Sequence, residues 1–192
     1  MPETNNKIII IAAPSGAGKT SVTRHLLKAL PDQLAFSVSC ATRSPRNIEK
    51  EGVDYYFMDI QDFKQKIQNK EFAEWEMVYE GKYYGTLKSE LKRIWALNKI
   101  PVLDIDVKGA IHIQQQYPEN TLSLFIEPPS VDELKNRLQS RGTETAESLA
   151  ARINKASYEL SFKDQFNKLI INDDLQRACS EAEKIVNEFL GS

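Results

Sequence analysis

The chain predicts a doubly wound α/β domain: a parallel sheet with helices on both faces, interrupted by a small mixed α+β insertion. Two observations carry this. Several short apolar runs do not alternate with polar residues, as strands buried on both faces require. Stretches with a 3.6-residue apolar period lie between those runs, so strands are followed by helices rather than hairpins.

Residues 7–12, KIIIIA, are the first such run. Residues 19–30 follow as a helix, with Val22, Leu26, Leu27 and Leu30 spaced for one face. A second strand is expected near 34–38. From 37 to 86 the rhythm fails: Tyr, Phe, Arg and acids crowd short alternating segments such as DYYFMD and AEWEMVY. This stretch predicts the insertion, with a helix around 60–69. The parallel pattern returns with IPVLDID at 100–106, a helix around 108–116 and LSLFIE at 122–127. A helix over 131–140 starts at an S-x-x-E capping box, Ser130 and Glu133. SRGTETAES at 140–148 joins two helices and is a candidate mobile flap; KLIIN at 168–172 is a strand and 174–190 a helix.

A chain of 192 residues can bury a sizeable core, and one domain with an insertion is the natural division. A formal net charge of −2 speaks against a nucleic-acid-coating protein, so the positive charge that matters must be local. The apolar run Ile8 to Ala13 is far shorter than the ~20 residues of a membrane span. The 2 cysteines, Cys40 and Cys179, match no metal or disulfide spacing; with no signal peptide at the start, they read as reduced thiols of a cytoplasmic protein.

Residues 13–20, APSGAGKT, match the P-loop pattern G-x-x-x-x-G-K-[ST] except at Ala13. The strand before and the helix after are the context that motif requires. Gly16 and Gly18 let backbone N–H groups converge on an anion, and the helix aims its unpaired N–H groups at the same point. Lys19 neutralises β- and γ-phosphate charge, and the Thr20 hydroxyl can reach magnesium. The ligand is a nucleoside triphosphate. VLDID resembles a Walker B strand, with Asp104 helping to hold magnesium, partly through water. Asp104 and Asp106, two apart on a strand, point the same way.

The acceptor needs its own argument. Arg43 and Arg46, in SVSCATRSPR, place two guanidinium groups in one loop, which suits a phosphate monoester. Tyr55 and Tyr84 add hydroxyl donors. Singly, each residue fits a solvated basic turn or a packed sheet; together they fit a phosphate site.

SGAGKT, TRSPR, GVDYYF, EFAEW, YYGT, LDIDVKGA, PPS, LKNRLQSRGTE and NDDL stand in the order and spacing of guanylate kinases, and the resemblance covers about residues 7 to 190. It implies a P-loop NTPase-type parallel sheet flanked by helices, a GMP-binding insertion at 37–86, a helical lid at 128–156, and a core of 1–36, 87–127 and 157–192. It implies transfer of the γ-phosphate of ATP to GMP or dGMP, with magnesium, by a monomer or homodimer without nucleic-acid or membrane partners. ATP would lie on Ala13, Pro14, Ser15, Gly16, Ala17, Gly18, Lys19, Thr20 and Ser21. The GMP phosphate would lie on Arg43, Arg46, Tyr55 and Tyr84, and guanine among Ser39, Glu74, Thr86 and Asp106. Carboxylates suit the N1–H and N2 amino donors of guanine, and hydroxyls suit O6; adenine would leave a desolvated carboxylate unpaired. Thr86 stands where serine is common.

Arg137 and Arg141, four apart on a helix, share a face, and Arg152 follows the flap. The resemblance implies that these three close over the phosphates, with Lys19 and Arg43 completing the catalytic charge and Arg152 also reaching GMP. By itself the same pattern fits a charged helix face paired to Asp132 and Glu133. Asn172 is a weaker candidate for touching adenine. Phosphoryl transfer requires positioning and charge rather than a covalent nucleophile. A kinase for another nucleoside monophosphate and a non-catalytic module binding phosphorylated peptide are the alternatives. Glu74 with Asp106 argues against the first; intact Lys19 and Thr20 argue against the second.

Overall fold

A computed structural model describes residues 6–46, 48–139 and 146–191. The first half of the chain forms β1 (Ile8–Ala12), α1 (Lys19–Ala29), β2 (Leu34–Phe36), β3 (Ser39–Ala41), β4 (Tyr55–Phe57), α2 (Ile60–Gln68), β5 (Phe72–Tyr79) and β6 (Lys82–Leu87). The second forms α3 (Lys88–Ala96), β7 (Ile100–Asp104), α4 (Val107–Gln116), β8 (Thr121–Glu127), α5 (Val131–Gln139), α6 (Ala146–Leu160), β9 (Lys168–Ile171) and α7 (Leu175–Leu190).

The main sheet runs β2-β7-β1-β8-β9, and every pairing in it is parallel. Strand β1 is central, which explains its four isoleucines. Ile9 and Ile11 pack with Val22 and Leu26 of α1 and Val186 of α7. Ile8 and Ile10 pack with Leu91 of α3 and Ala110 and Ile113 of α4. All four are fully buried, each contributing roughly 2 kcal/mol of transfer free energy. The chain crosses β1 between β7 and β8, so the β1–α1 loop and the carboxyl end of β7 open side by side, where such sheets place ligands.

The insertion is a second, mixed sheet ordered β4-β3-β6-β5. Its β3–β4 pair is parallel, and its β3–β6 and β5–β6 pairs are antiparallel. Helix α2 seals it through Phe63, which stacks on Phe72 at 4.3 Å beside Cys40. Burial pushes the Cys40 thiol up to about 12, so it is inert. Glu90 of α3 ties the insertion to the main sheet. Its carboxylate accepts the Val38 N–H at 3.0 Å, the Tyr56 hydroxyl at 3.3 Å and Arg93 Nε at 2.8 Å. Burial opposes its charge, but these donors outweigh burial and hold its pKa below the usual range.

Four details depart from the sequence reading. Strand β7 stops at Asp104; Asp106 is the N-cap of α4, accepting from Lys108 N at 2.9 Å and Gly109 N at 3.0 Å. The two aspartates therefore do not share a strand face. Helix α3 follows β6 directly, with Leu87 as an N-cap that makes no side-chain bond. Half of the capping box forms: Ser130 Oγ accepts from Glu133 N at 3.0 Å, while the Glu133 carboxylate binds Arg137. Helix α6 runs past residue 156, so the expected lid boundary falls within a helix. Among the described residues, no helix is long and apolar enough to cross a membrane.

Candidate active site

The loop from β1 to α1 adopts the conformation its glycines permit. Gly16 and Gly18 have φ of 93° and 102°, in the left-handed region that side chains disfavour. Gly18 is the N-cap of α1 and offers no side chain, so no side chain caps the first turn; the Ser21 N–H turns back to Gly18 O at 3.0 Å, and the Lys19 and Thr20 N–H groups face the loop. Ala13 fits at the first motif position. Among the described non-glycine residues only Lys70 and Asn98 have positive φ, and Ala13 is packed into the core.

Lys19, the first residue of α1, reaches across to β7. Its Nζ lies 2.5 Å from Asp104 Oδ1 and donates to Ile105 O at 3.2 Å. Burial disfavours its charge, but Asp104 outweighs burial and holds the pKa above its ordinary value. Thr20 and Ser21 are exposed on the first turn and line the cavity. Asn172, the candidate for adenine, lies behind the loop. It is 4% exposed, and its Nδ2 donates to Ala17 O at 2.7 Å, bracing the loop from behind. A Cβ on Gly18 would collide with that amide.

One cavity of about 300 Å³ joins this loop to the insertion, lined by Lys19, Asp104 and Asp106 on one side and Ser39, Arg43, Tyr84 and Glu74 on the other. Asp106 reaches it from a cap rather than from the strand. Tyr55 and Arg46 also line it. Arg43 is held from several directions. Its Nη1 and Nη2 bind the Glu49 carboxylate at 2.5 and 2.7 Å, and its Nε donates to the Tyr84 hydroxyl at 3.0 Å. Its guanidinium lies 4.9 Å from the Tyr55 ring centre. Hydrogen bonding to Glu49 holds the guanidinium above its ordinary pKa, and Arg43 in turn holds Glu49 low. Glu49 also accepts the Arg46 N–H at 2.8 Å, so one carboxylate organises both arginines of the loop.

Glu74 is 5% exposed on β5. Burial pushes its carboxyl up to about 8, with Asp106 adding to the rise and the Thr86 bond opposing it. Thr86 Oγ1 donates to Glu74 Oε1 at 2.6 Å and is itself fully buried. Its proton goes to Glu74, so Thr86 orients that carboxylate.

The flap arginines are less gathered. Arg137 donates to Glu133 Oε1 at 3.0 Å and to Asn172 O at 3.1 Å, the pairing expected of a charged helix face. Arg141 lies outside the described residues. Arg152 is half-buried on α6, and the cavity wall is formed further along that helix by Lys155 and Glu159. Lys155 Nζ binds Glu159 Oε1 at 2.5 Å, while Oε2 is buried without a partner. Neither residue stood out in the sequence; an i, i+4 Lys–Glu pair signals a solvated face, and only packing turns it inward.

A family model for guanylate kinase matches residues 5–189. The chain belongs to the guanylate kinase family. It is 49% identical over 185 residues to a guanylate kinase of Bacteroides fragilis, covering 96% of this chain and 90% of that protein. It is 42% identical to the guanylate kinase of Salinibacter ruber, with both chains covered completely. The crystal structure of guanylate kinase from Anaplasma phagocytophilum superposes with a TM-score of 0.74 at 27% identity, covering 95% of this chain and 85% of that one.

Proposed function

We propose that this member of the guanylate kinase family transfers the γ-phosphate of ATP to GMP or dGMP, giving ADP and GDP or dGDP. The observation that carries the reading is the single cavity. The Gly16–Thr20 cradle and the Arg43–Tyr84–Glu74 pocket open on the same space, with the Lys19 side chain on its wall. A triphosphate on the first and a monophosphate on the second meet end to end.

The residues divide the work by charge. Backbone N–H groups of the loop take the β- and γ-phosphates, and Lys19 leaves Asp104 to follow the charge that moves between nucleotides. Arg43 and Arg46, with the Tyr55 and Tyr84 hydroxyls, hold the acceptor phosphate. Tyr84 accepts from Arg43 Nε, so its own proton is available for a phosphate oxygen. Glu74 and Asp106 accept from N1–H and the N2 amino group of guanine, and Ser39 donates to O6. Asp104 and Thr20 offer hard oxygen donors beside the cradle, a set that fits magnesium, and would hold the ion there. When bound, the ion would supply charge neutralisation and orientation of the triphosphate.

The insertion at 37–86 and the lid at 128–156 close over the nucleotides, bringing Arg137, Arg141 and Arg152 towards the phosphates and excluding water that would compete as acceptor. The buried thiols Cys40 and Cys179 suit a reducing compartment, the cytoplasm. An ADP-release assay across GMP, AMP, CMP and UMP tests the assignment. Turnover is expected to be fastest with GMP; fastest turnover with AMP, or none with any acceptor, overturns it.

A further inference from the structure

Gly109 is the third residue of α4, where every residue except proline would serve the helix better; alanine is favoured over glycine in a helix by about 1 kcal/mol. Its φ is not in the left-handed region, so the backbone does not demand glycine. The turn chemistry does not demand it either, because its N–H bond to Asp106 Oδ1 at 3.0 Å is available to any residue except proline. What distinguishes the position is its neighbour. A Cβ built on Gly109 would stand 2.5 Å from Glu74 Oε2 and 3.1 Å from Glu74 Cδ. The first of these is shorter than any tolerated carbon–oxygen contact, and both lie on the same carboxyl group.

That group has no slack in the other direction. Glu74 Oε1 is held by Thr86 Oγ1 at 2.6 Å, and the side chain is buried between β5 and the start of α4. A methyl group at 109 therefore has one soft neighbour, the end of the Glu74 side chain, which must turn away from Thr86 and from its place in the cavity wall. The backbone of α4 loses nothing.

We infer that Gly109 is a specificity-determining position, whose missing side chain is the space in which Glu74 is held to read the guanine edge. The inference rests on the proposed role of Glu74 as acceptor for N1–H and the N2 amino group. Gly109 acts through Glu74 and is a positioning residue. It sets how well the chain tells GMP from inosine monophosphate, which keeps N1–H and O6 but lacks the N2 amino group.

The test is Gly109→Ala, assayed with both acceptors at saturating ATP and paired with a thermal melt. The expected result is a fall in kcat/KM for GMP of about thirtyfold or more, and a narrowing of the GMP-to-inosine-monophosphate ratio of about tenfold, because one of two carboxylate contacts is lost selectively. The KM for ATP stays within about twofold of the parent, since no phosphate contact is touched, and the melting temperature falls slightly, because the buried Thr86 hydroxyl loses its acceptor while the helix gains an alanine. A second comparison isolates the contact. In a Glu74→Asp background the carboxylate is one methylene shorter, so adding Gly109→Ala should cost less than about threefold further, a non-additivity that a generally structural glycine would not give. Equal losses with both acceptors, a large fall in melting temperature that Glu74→Asp does not restore, or unchanged selectivity overturns the inference. Failure of the parent itself to phosphorylate GMP overturns the underlying assignment instead, so the two failures are distinguishable.

Discussion

Replacing Glu74 by glutamine keeps the side chain's shape but removes its charge and turns one acceptor into a donor. Thr86 Oγ1 donates to Oε1, so the glutamine carbonyl settles there and its NH₂ faces the guanine donors. Losing one acceptor and opposing two donors in a buried site costs about 2–4 kcal/mol. The parent has a cost of its own. Its carboxyl is pushed up to about 8, so at pH 7 it is mostly protonated and must release that proton to accept from both guanine donors. Ionisation one pH unit below the pKa costs about 1.4 kcal/mol, which glutamine does not incur. The net penalty for Glu74→Gln at pH 7 is therefore about 0.6–2.6 kcal/mol, roughly 3- to 80-fold in kcat/KM for GMP, and it grows towards pH 8.5. Initial rates with varied GMP at pH 6, 7, 8 and 8.5 would show parental kcat/KM rising with pH relative to Glu74→Gln, with the KM for ATP nearly equal in both. A parent-to-variant ratio independent of pH, or equal losses for ATP and GMP, would refute the reasoning. Stability moves the opposite way. A carboxyl raised from 4.5 to about 8 keeps its proton in the fold after the unfolded chain has released it, so stability falls as pH rises through that window. Glu74→Gln should abolish this loss and be more stable than the parent above pH 8, by on the order of 4 kcal/mol. Urea denaturation at pH 5 and pH 8.5 measures it.

Other perturbations separate the remaining roles. Lys19→Met should abolish phosphoryl transfer while calorimetry still detects GMP binding; turnover near the parental rate would mean the loop is not the triphosphate cradle. Glu49→Gln loosens the two-point hold on Arg43 and the tie to Arg46, so the KM for GMP should rise about three- to tenfold with little change for ATP. An unchanged KM would show that Arg43 holds its pose without Glu49. Glu90→Ala orphans the Val38 N–H and Tyr56 hydroxyl and should cost about 2–4 kcal/mol in urea denaturation. A cost below that of an ordinary surface substitution would remove Glu90 as the joint between the two sheets.

What could be read from the sequence was local. The P-loop announces itself because glycines, lysine and hydroxyls act within eight residues, and Ile8 to Ile11 announce a central strand because neither face sees water. Helix α3 hid because β6 runs into it without a side-chain cap or a turn residue. Asp106 read as strand because the apolar alternation continues through Ile105, whereas its carboxylate closes the first turn of α4. The carboxylates that position others, Glu49 on Arg43 and Glu90 on Val38, were illegible because their meaning lies in partners several to many residues away. Asn172 and Thr86 were legible as polar residues, but their bonds to Ala17 and Glu74 were not, because those partners are brought close only by the fold.

The central claim is that two nucleotides meet across one cavity, each on its own set of charges. A crystal grown with GMP and a non-hydrolysable ATP analogue tests it most directly. Guanine is expected against Glu74, with its phosphate between Arg43 and Tyr84 and the β- and γ-phosphates over Gly16 to Thr20. Guanine bound anywhere else, or a single nucleotide spanning both halves of the cavity, would contradict it.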